Sequence, residues 1–256
     1  MTAPFTTTVI EDGVLSLQVA TDDDCHMDPQ WSQCLVRSLD GIGHDAGIRV
    51  VVLEGGSRVF CAGASRTVLL TRRDAPTEYA AELSRALLAT PVPLVAALAG
   101  HAIGGGLLVG LWCDAVVLAE ESLYGANFMA LGFTPGMGAT AAIPEAFGPL
   151  LGRRLLFTGQ LMTGREIRDA SCPLSHTVHP RAQVRDRALA MAREMAEAPR
   201  AALVLLKQAI AARRQEALER ALDAEQHCHA ALFAAGQTFD EIASRYPRWD
   251  RATGEP

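Results

Sequence analysis

The chain has 256 residues and is 49% hydrophobic, 20% charged and 5% aromatic, a composition that excludes a disordered or fibrous protein. Its 23 basic and 29 acidic residues give a formal net charge of −6, and no run of Lys or Arg is longer than a pair. This charge pattern argues against a nucleic-acid partner and against binding to an anionic membrane. The length suits one large domain, with or without a helical appendage.

The N-terminal residues 1–13 have neither a basic region nor an apolar core of the kind found in signal peptides. We therefore expect a cytoplasmic protein. The cysteines agree with this expectation, because they are scattered along the chain without a CxxC spacing. They are predicted to be free buried thiols rather than disulfides or zinc ligands.

An antiparallel hairpin is predicted over residues 6–20, where Asp12-Gly13 divides two alternating runs. Three uninterrupted apolar runs follow, of the kind that is buried on both faces of a sheet. These runs cover residues 49–54, 94–98 and 115–119. Helical patterns precede or separate them at residues 28–42, 76–89 and 104–112. Strands alternating with helices indicate parallel βαβ units, so the fold class is predicted to be α/β.

Between Arg85 and Asp114 lie 28 residues without a single charged side chain. The length of this charge-free stretch suits a membrane span. It also contains Pro91, Pro93 and the glycine triplet 104–106, which would interrupt a spanning helix. We therefore predict that the stretch is buried protein interior and that the chain has no membrane partner.

Beyond residue 140 the chain is predicted to be mostly helical. Thr163 and Glu166 have the spacing of a capping box, and residues 182–197 and 200–235 are amphipathic. The last third of the chain is therefore predicted to form a helical layer.

Two small-residue loops follow predicted strands and are candidate binding sites. The first is residues 60–65 (FCAGAS), where small side chains let backbone N–H groups approach a ligand. The second is the glycine triplet 104–106, which opens a helix and so presents free N–H groups to a developing negative charge. Each loop alone is a weak signal, since such loops are more often tight turns.

Taken together with their flanking segments, the two loops resemble the crotonase (enoyl-CoA hydratase/isomerase) superfamily. The similarity extends over nearly the whole chain. The matching segments are 49–53 (RVVVL), 60–64 (FCAGA), 91–106 (PVPLVAALAGHAIGGG), 113–119 (CDAVVLA), 132–140 (GFTPGMGAT) and 161–167 (LMTGREI).

The resemblance implies a crotonase-type ββα spiral core over residues 1–195 and a C-terminal helical region over 196–256. That region would cover the active site and contribute to trimerisation, in a homotrimer or a hexamer. The resemblance also implies that two backbone amides hold a thioester oxygen, and by position these belong to Ala64 and Gly105.

Hydratases of this superfamily use two glutamates, and the matching positions here are Leu108 and Phe128. Neither side chain can transfer a proton, so addition of water at these positions is not expected. Leu108 and Phe128 are instead predicted to be apolar walls of the substrate pocket, together with Phe133.

His229 lies on a helical stripe of apolar residues, whereas His227 points elsewhere. A single histidine on such a stripe is more often a hydrogen-bonded core residue than a catalytic one. Glu225 lies one turn earlier on the same stripe and is predicted to orient the imidazole.

Segments 64–66, 128–140 and 225–233 are similar to one branch in particular, the decarboxylating enoyl-CoA-hydratase homologues of polyketide β-branching. That branch places a histidine at the position of His229 and a lysine at the position of Arg72. Arginine can bind a carboxylate bidentately but cannot donate a proton near neutral pH, so protonation of the product is predicted to fall to His229 or to water. Arg72 is therefore predicted to hold the substrate carboxylate, with Arg66 and Arg73 as alternatives, and solvated loop arginines remain the competing interpretation.

The sequence thus predicts decarboxylation of a 3-methylglutaconyl-type thioester to a 3-methylcrotonyl-type thioester. The substrate would be carried by an acyl carrier protein or by CoA, and no metal or redox cofactor is expected because the unsaturated thioester accepts the electron pair. An alternative is an enoyl-thioester hydratase, dehydratase or isomerase that uses other acid–base residues, such as Glu145 or His101. A non-catalytic scaffold or an RNA-binding relative is a further alternative, and the net charge of −6 argues against RNA.

Overall fold

The computed structural model describes residues 5–19, 25–71, 78–234 and 238–246. In chain order its strands are β1 (Thr6–Val9), β2 (Val14–Gln18), β3 (Val50–Glu54), β4 (Val59–Cys61), β5 (Leu94–Leu98), β6 (His101–Ile103), β7 (Ala115–Ala119), β8 (Leu123–Gly125), β9 (Met162–Thr163) and β10 (Val178–His179). Its helices are α1 (Pro29–Gly43), α2 (Arg66–Thr71), α3 (Glu78–Ala89), α4 (Gly105–Leu111), α5 (Ala139–Phe147), α6 (Pro149–Thr158), α7 (Gly164–Asp169), α8 (Arg181–Ala196), α9 (Arg200–Ala234) and α10 (Thr238–Arg245).

The strands form two sheets, one with the order β1-β2-β3-β5-β7-β10 and one with the order β4-β6-β8-β9. In the first sheet β1 and β2 are antiparallel and the other pairs are parallel. Asp12 and Gly13, with φ of 54° and 81°, form the tight turn of the hairpin. The predicted α/β class, the hairpin and the parallel strand pairs are therefore confirmed.

The central strands β3, β5 and β7 of the large sheet are buried on both faces, as their continuous apolar runs predict, whereas β1 is exposed. Alternate side chains of β3, such as Val51 and Leu53, belong to the main core beneath α1 and α3. The intervening Val50 and Val52 pack in a second apolar cluster that includes Val184 and Leu189 of α8. Because neither face meets water, these strands show no polar alternation.

Helix α9 is attached to the core through buried polar contacts. The Lys207 ammonium, 3% exposed, lies 2.7 Å from Asp114 Oδ2, and that same oxygen accepts a hydrogen bond from Leu94 N at 2.8 Å. About two turns further along α9, Arg214 donates to the backbone oxygens of Leu111 and Cys113 at 2.6 and 2.9 Å. Arg214 thereby satisfies free carbonyls at the C-terminal end of α4. These contacts set the position of α9 against the sheet and give Lys207 a structural role.

The charge-free stretch is divided among the end of α3, β5, β6 and α4. Within the described ranges, no helix is both long enough and apolar enough to cross a membrane. The capping box of Thr163 and Glu166 is present at the start of α7. All six cysteines are free, and the prediction that they are buried is confirmed for Cys25, Cys61 and Cys113. It is wrong for Cys228, which is exposed on α9, and Cys34 and Cys172 are half-buried.

Candidate active site

The two small-residue loops predicted from the sequence lie against each other. A Cβ atom built on Gly63, whose φ is +77°, would come within 2.9 Å of Ile103 O and 3.3 Å of Gly105 N. A Cβ atom on Gly106 would meet Cys61 O at 2.0 Å, a distance that no side chain tolerates. Glycine at these two positions therefore permits the contact between the end of β4 and the start of α4.

Ala64 and Gly105 both line one cavity of about 360 Å³. Gly105 is the first residue of α4, so its N–H has no acceptor within the helix. Among the described residues, neither the Ala64 amide nor the Gly105 amide donates to a protein acceptor. Both amides are therefore available to an oxygen atom of a ligand, and the α4 dipole favours negative charge at that point.

The remaining lining of the cavity is mostly apolar, with a few polar side chains. The larger apolar side chains are those of Met27, Leu69, Phe128, Leu131, Phe133 and Met137. The polar ones are those of His26, Tyr79, Asn127, His229, Arg245 and Tyr246. Within the described part of the chain, no Asp or Glu lines the cavity. The described lining therefore offers no carboxylate pair of the kind that acid–base addition of water would require.

His229 enters the cavity from α9 and is held among aromatic rings. Its ring stacks on Phe233 at a centroid distance of 5.8 Å and lies 6.3 Å from the ring of Phe133. Nδ1 is 3.1 Å from the backbone oxygen of Glu225. A carbonyl only accepts, so Nδ1 carries a proton, and in the neutral ring Nε2 then has a lone pair. Burial lowers the pKa of His229, and the bond to Glu225 O partly offsets this effect.

The carboxylate of Glu225 does not orient the imidazole, contrary to the prediction. It accepts hydrogen bonds from Gly138 N at 2.8 Å, from Thr140 N at 2.8 Å and from Thr140 Oγ1 at 2.7 Å. Burial raises the pKa of Glu225, whereas the bonds from Thr140 and Gly138 lower it. Glu225 and His229 do lie on one face of α9, as the helical spacing predicts. The carboxylate bonds instead to the free amides at the start of α5, which lack acceptors within that helix.

Three of the predicted site residues do not contribute to the cavity lining or cannot be placed. Leu108 is completely buried in the core rather than forming a wall, because α4 meets the cavity only through its first turn, at Gly104 and Gly105. Arg66 is exposed, and its guanidinium donates to Ala243 O at 3.1 Å. Arg72, like its alternative Arg73, lies outside the described residues.

Phe128 and Phe133 do line the cavity, as predicted, and their rings contact edge to face at 5.6 Å. The alternative acid–base residues do not. His101 accepts a hydrogen bond from Leu123 N at 2.8 Å, and Glu145 lies 3.8 Å from Arg214 and is not part of the cavity lining. Both residues serve contacts between elements of the fold.

Sequence reasoning expected the C-terminal region to cover the active site but did not identify Arg245 or Tyr246 as lining residues. Arg245 lines the cavity and donates through Nε to Glu241. Tyr246 donates from its hydroxyl to Ala64 O at 2.9 Å, which ties the end of α10 to the first loop. Tyr246 and Ala64 are 182 positions apart in the chain, so no local sequence pattern predicts their contact.

Among the described residues, no group of three or more His, Cys, Asp or Glu side chains is arranged to hold a metal ion. Within the described ranges, the cavity lining thus combines the two free backbone amides with buried His229, Arg245, several other polar side chains and apolar walls.

Comparison with known proteins gives one consistent family. The enoyl-CoA hydratase/isomerase family matches residues 13–246. Bacillaene synthase decarboxylase PksI from Bacillus subtilis (strain 168) is 33% identical over 234 residues, covering 90% of this chain and 93% of PksI. The 2,3-dehydroadipyl-CoA hydratase of Escherichia coli (strain K12) is 30% identical over 212 residues, covering 82% of each chain.

Solved structures agree with this result. The ECH2 decarboxylase domain of CurF from Lyngbya majuscula superposes with a TM-score of 0.87 at 28% identity, covering 94% of this chain and 99% of that domain. A structure from a dehydratase/decarboxylase enzyme couple involved in polyketide beta-branching has a TM-score of 0.89 at 30% identity, covering 96% of this chain and 100% of that one.

Proposed function

The chain belongs to the enoyl-CoA hydratase/isomerase family and has its crotonase-type fold, and we propose that it is a thioester decarboxylase of polyketide β-branching. Its substrate is a 3-methylglutaconyl-type group on an acyl carrier protein, and its product is the corresponding 3-methylcrotonyl-type thioester. The similarity to PksI and to the CurF domain supports decarboxylation over hydration.

One observation carries this proposal: the cavity brings two free amides and His229 together without any carboxylate on its described lining. Hydration of an enoyl thioester requires a base that activates water, and the positions matching the family's two glutamates hold Leu108 and Phe128. Decarboxylation requires no such base. It requires a site that stabilises an enolate and a group that returns a proton.

In the proposed reaction the thioester oxygen accepts hydrogen bonds from the amides of Ala64 and Gly105. The bond between the γ-carbon and the carboxyl carbon breaks, CO2 leaves, and the electron pair passes through the double bond onto the thioester oxygen as a dienolate. Each amide donor of such an oxyanion site contributes about 3–4 kcal/mol to transition-state stabilisation. The unsaturated thioester is itself the electron acceptor, so the reaction uses no cofactor.

The dienolate then takes one proton at the γ-carbon to give the 3-methylcrotonyl product. His229 is the proposed donor. Because Nδ1 is engaged with Glu225 O, the proton must come from Nε2 of the doubly protonated ring, which solvent recharges after each turnover. The phenyl rings of Phe133 and Phe233 exclude water from the face of the imidazole.

A cation is needed to hold the carboxylate until CO2 leaves. Arg72 is the prediction from the sequence, with Arg66 and Arg73 as alternatives. The structure adds Arg245, which lies on the cavity lining itself. Arginine at this point binds but does not protonate, so it leaves the proton step to His229.

The carrier, the assembly and the location of the protein are further parts of the proposal. The substrate arrives on the phosphopantetheine of a carrier protein or on CoA, and the protein acts in the cytoplasm. Exposed apolar side chains on α6 and α9 support a homotrimer or hexamer. They include Leu150, Phe157, Leu205, Leu206 and Ile210. The division of the chain into a core over 1–195 and a helical region over 196–256 stays a prediction.

The direct test is incubation with a 3-methylglutaconyl thioester on carrier protein, followed by mass spectrometry of the acyl group. We expect the acyl mass to fall by one CO2. An unchanged mass, or a change by one water, would contradict the proposal.

The role of His229 is tested with two matched variants on the same helix. His229→Ala is expected to lower turnover by about 100-fold or more, the usual contribution of a proton-transfer group. His227→Ala removes an exposed ring two residues away and is expected to leave turnover unchanged. Equal turnover in the two variants would remove His229 from the mechanism.

A further inference from the structure

The segment Gly136–Thr140 borders the cavity at Gly136 and Met137, and its backbone adopts a conformation rare for L side chains at Met137 and Gly138. Met137 has a φ of 62° and Gly138 a φ of 74°. A left-handed conformation is common for glycine but unfavourable for methionine, because its Cβ approaches the carbonyl oxygen. A methionine therefore persists here only because its surroundings hold it there.

Hydrogen bonds from three helices hold this segment. Met137 O accepts a bond from Trp112 Nε1 at 2.8 Å and one from Ser84 Oγ at 3.3 Å. On the other side, the buried Glu225 carboxylate accepts from the amides of Gly138 and Thr140, both at 2.8 Å. Met137 is thus fixed on its carbonyl side by α3 and the end of α4, and just after it by α9.

The side chain that this backbone presents lies directly against the second amide donor. A Cβ atom built on Gly105 would meet Met137 Sδ at 2.9 Å and Met27 Cε at 2.6 Å. Met137 is 5% exposed and lines the cavity. Its thioether is therefore a wall of the space next to the Gly105 amide.

A thioester whose oxygen binds Gly105 N has its β-carbon three bonds from that oxygen. The Met137 side chain, which lies beside Gly105, is therefore within reach of a substituent on the β-carbon. We propose that Met137 determines how large a β-substituent the site accepts, and that Glu225 is the positioning residue that holds Met137 in place. The identity of the substrate in this inference rests on the proposed function. The fit of an acyl chain against Met137 does not depend on decarboxylation.

Met137→Ala tests the first part. Alanine retains the Cβ, so the left-handed backbone is no more strained than before and only the wall is removed. We expect the ratio of kcat/KM for a β-ethyl to a β-methyl glutaconyl thioester to rise at least 10-fold, the usual effect of one methylene in a shaped pocket. Met137→Leu keeps the side-chain volume, and Met191→Ala removes a methionine from α8 outside the cavity. Both controls are expected to keep the wild-type ratio.

A second readout separates failure of this inference from failure of the proposed function. Unreactive saturated acyl-pantetheine thioesters with a β-methyl or a β-ethyl group are titrated into each variant, and the ratio of their Kd values is measured. A changed Kd ratio in Met137→Ala supports the inference even if the wild type releases no CO2. Absence of CO2 release would overturn only the proposed decarboxylase function. An unchanged ratio in Met137→Ala, with far-ultraviolet circular dichroism like the wild type, overturns the inference.

Glu225→Gln tests the positioning role. The backbone amides of Gly138 and Thr140 bond to different oxygens of the Glu225 carboxylate, so a glutamine in the same position would turn its NH2 group, a donor, towards one of them. We expect the selectivity ratio to move towards that of Met137→Ala, and the double variant to show no further increase. A Glu225→Gln protein that melts at lower temperature but keeps the wild-type ratio would show that Glu225 serves stability alone.

Discussion

Replacing Gly106 by alanine changes the contact that brings the two amide donors together. An added Cβ would lie 2.0 Å from Cys61 O, whereas Cβ atoms essentially never come closer than 3.0 Å to another heavy atom. Both partners are backbone at the ends of β4 and α4, so no flexible side chain can yield. The two elements must therefore separate by about 1 Å, a displacement that in active sites costs on the order of 100-fold in rate.

The same displacement also costs stability, and the two effects can be measured separately. Overpacking of this kind destabilises by about 1–3 kcal/mol, which for a chain of this size lowers Tm by roughly 2–12 °C. Turnover of the 3-methylglutaconyl thioester is measured at 20 °C, where the variant is still folded by circular dichroism. We expect kcat to fall about 100-fold.

Gly41→Ala is the matched control for this variant. Gly41 lies in α1, and a Cβ added there meets nothing within 4 Å. Alanine is the better helix former, so this variant is expected to keep wild-type turnover and to gain up to about 1 kcal/mol in stability. A folded Gly106→Ala protein with turnover within a few-fold of the wild type would refute the assignment of the two amides.

Three other predictions concern the proton donor, the buried ion pair and the exposed apolar surface. Because burial lowers the pKa of His229 below its ordinary 6.5, the doubly protonated donor becomes abundant only below that pH. We expect kcat to rise as the pH falls from 8 towards 6, and a flat rate profile would contradict the role of His229 as proton donor. Stability is expected to fall below pH 6.5, because the unfolded chain binds that proton more readily than the folded protein does. Lys207→Met leaves the Asp114 carboxylate without its cation, and we expect the free energy of unfolding in urea to fall by about 3–5 kcal/mol. The double variant Lys207→Met/Asp114→Asn is expected to lose less, because no unpaired charge remains buried. Equal losses in the two proteins would argue against the ion pair. Phe157 is 78% exposed on α6, so Phe157→Glu should leave the fold intact but lower the mass measured by analytical ultracentrifugation, and an unchanged mass would exclude α6 from the assembly.

The sequence predicted those parts of the fold that local patterns determine. The strands at 94–98 and 115–119 and the helices from about 28, 182 and 200 agree with the structure to within two residues. Their apolar runs and periodicities are properties of neighbouring residues, which a single sequence displays directly. The apposition of residues 60–65 with the glycine triplet came from the family resemblance, since no spacing in the chain brings them together.

Errors at the site came from contacts between distant segments. Leu108 was expected to be a wall because a family position falls there, but α4 borders the cavity only at its start, at Gly104 and Gly105. Glu225 was expected to serve His229 because the two are one turn apart, and the periodicity was correct. The carboxylate instead satisfies the amides of Gly138 and Thr140, 87 and 85 residues away. Competition among distant partners of this kind is decided only in the folded chain.

Helix α9 imposes a limit on how this protein can evolve. The helix is 35 residues long, and its contacts to the rest of the fold recur along one stripe that includes Lys207, Glu225 and His229. Each residue of an α-helix advances by about 1.5 Å and turns by about 100°. Inserting or deleting one residue between Lys207 and His229 would therefore rotate either the ion pair or the imidazole away from its partner. Lineages that retain this chemistry are expected to vary freely on the outer face of α9 while conserving the number of residues between these two positions.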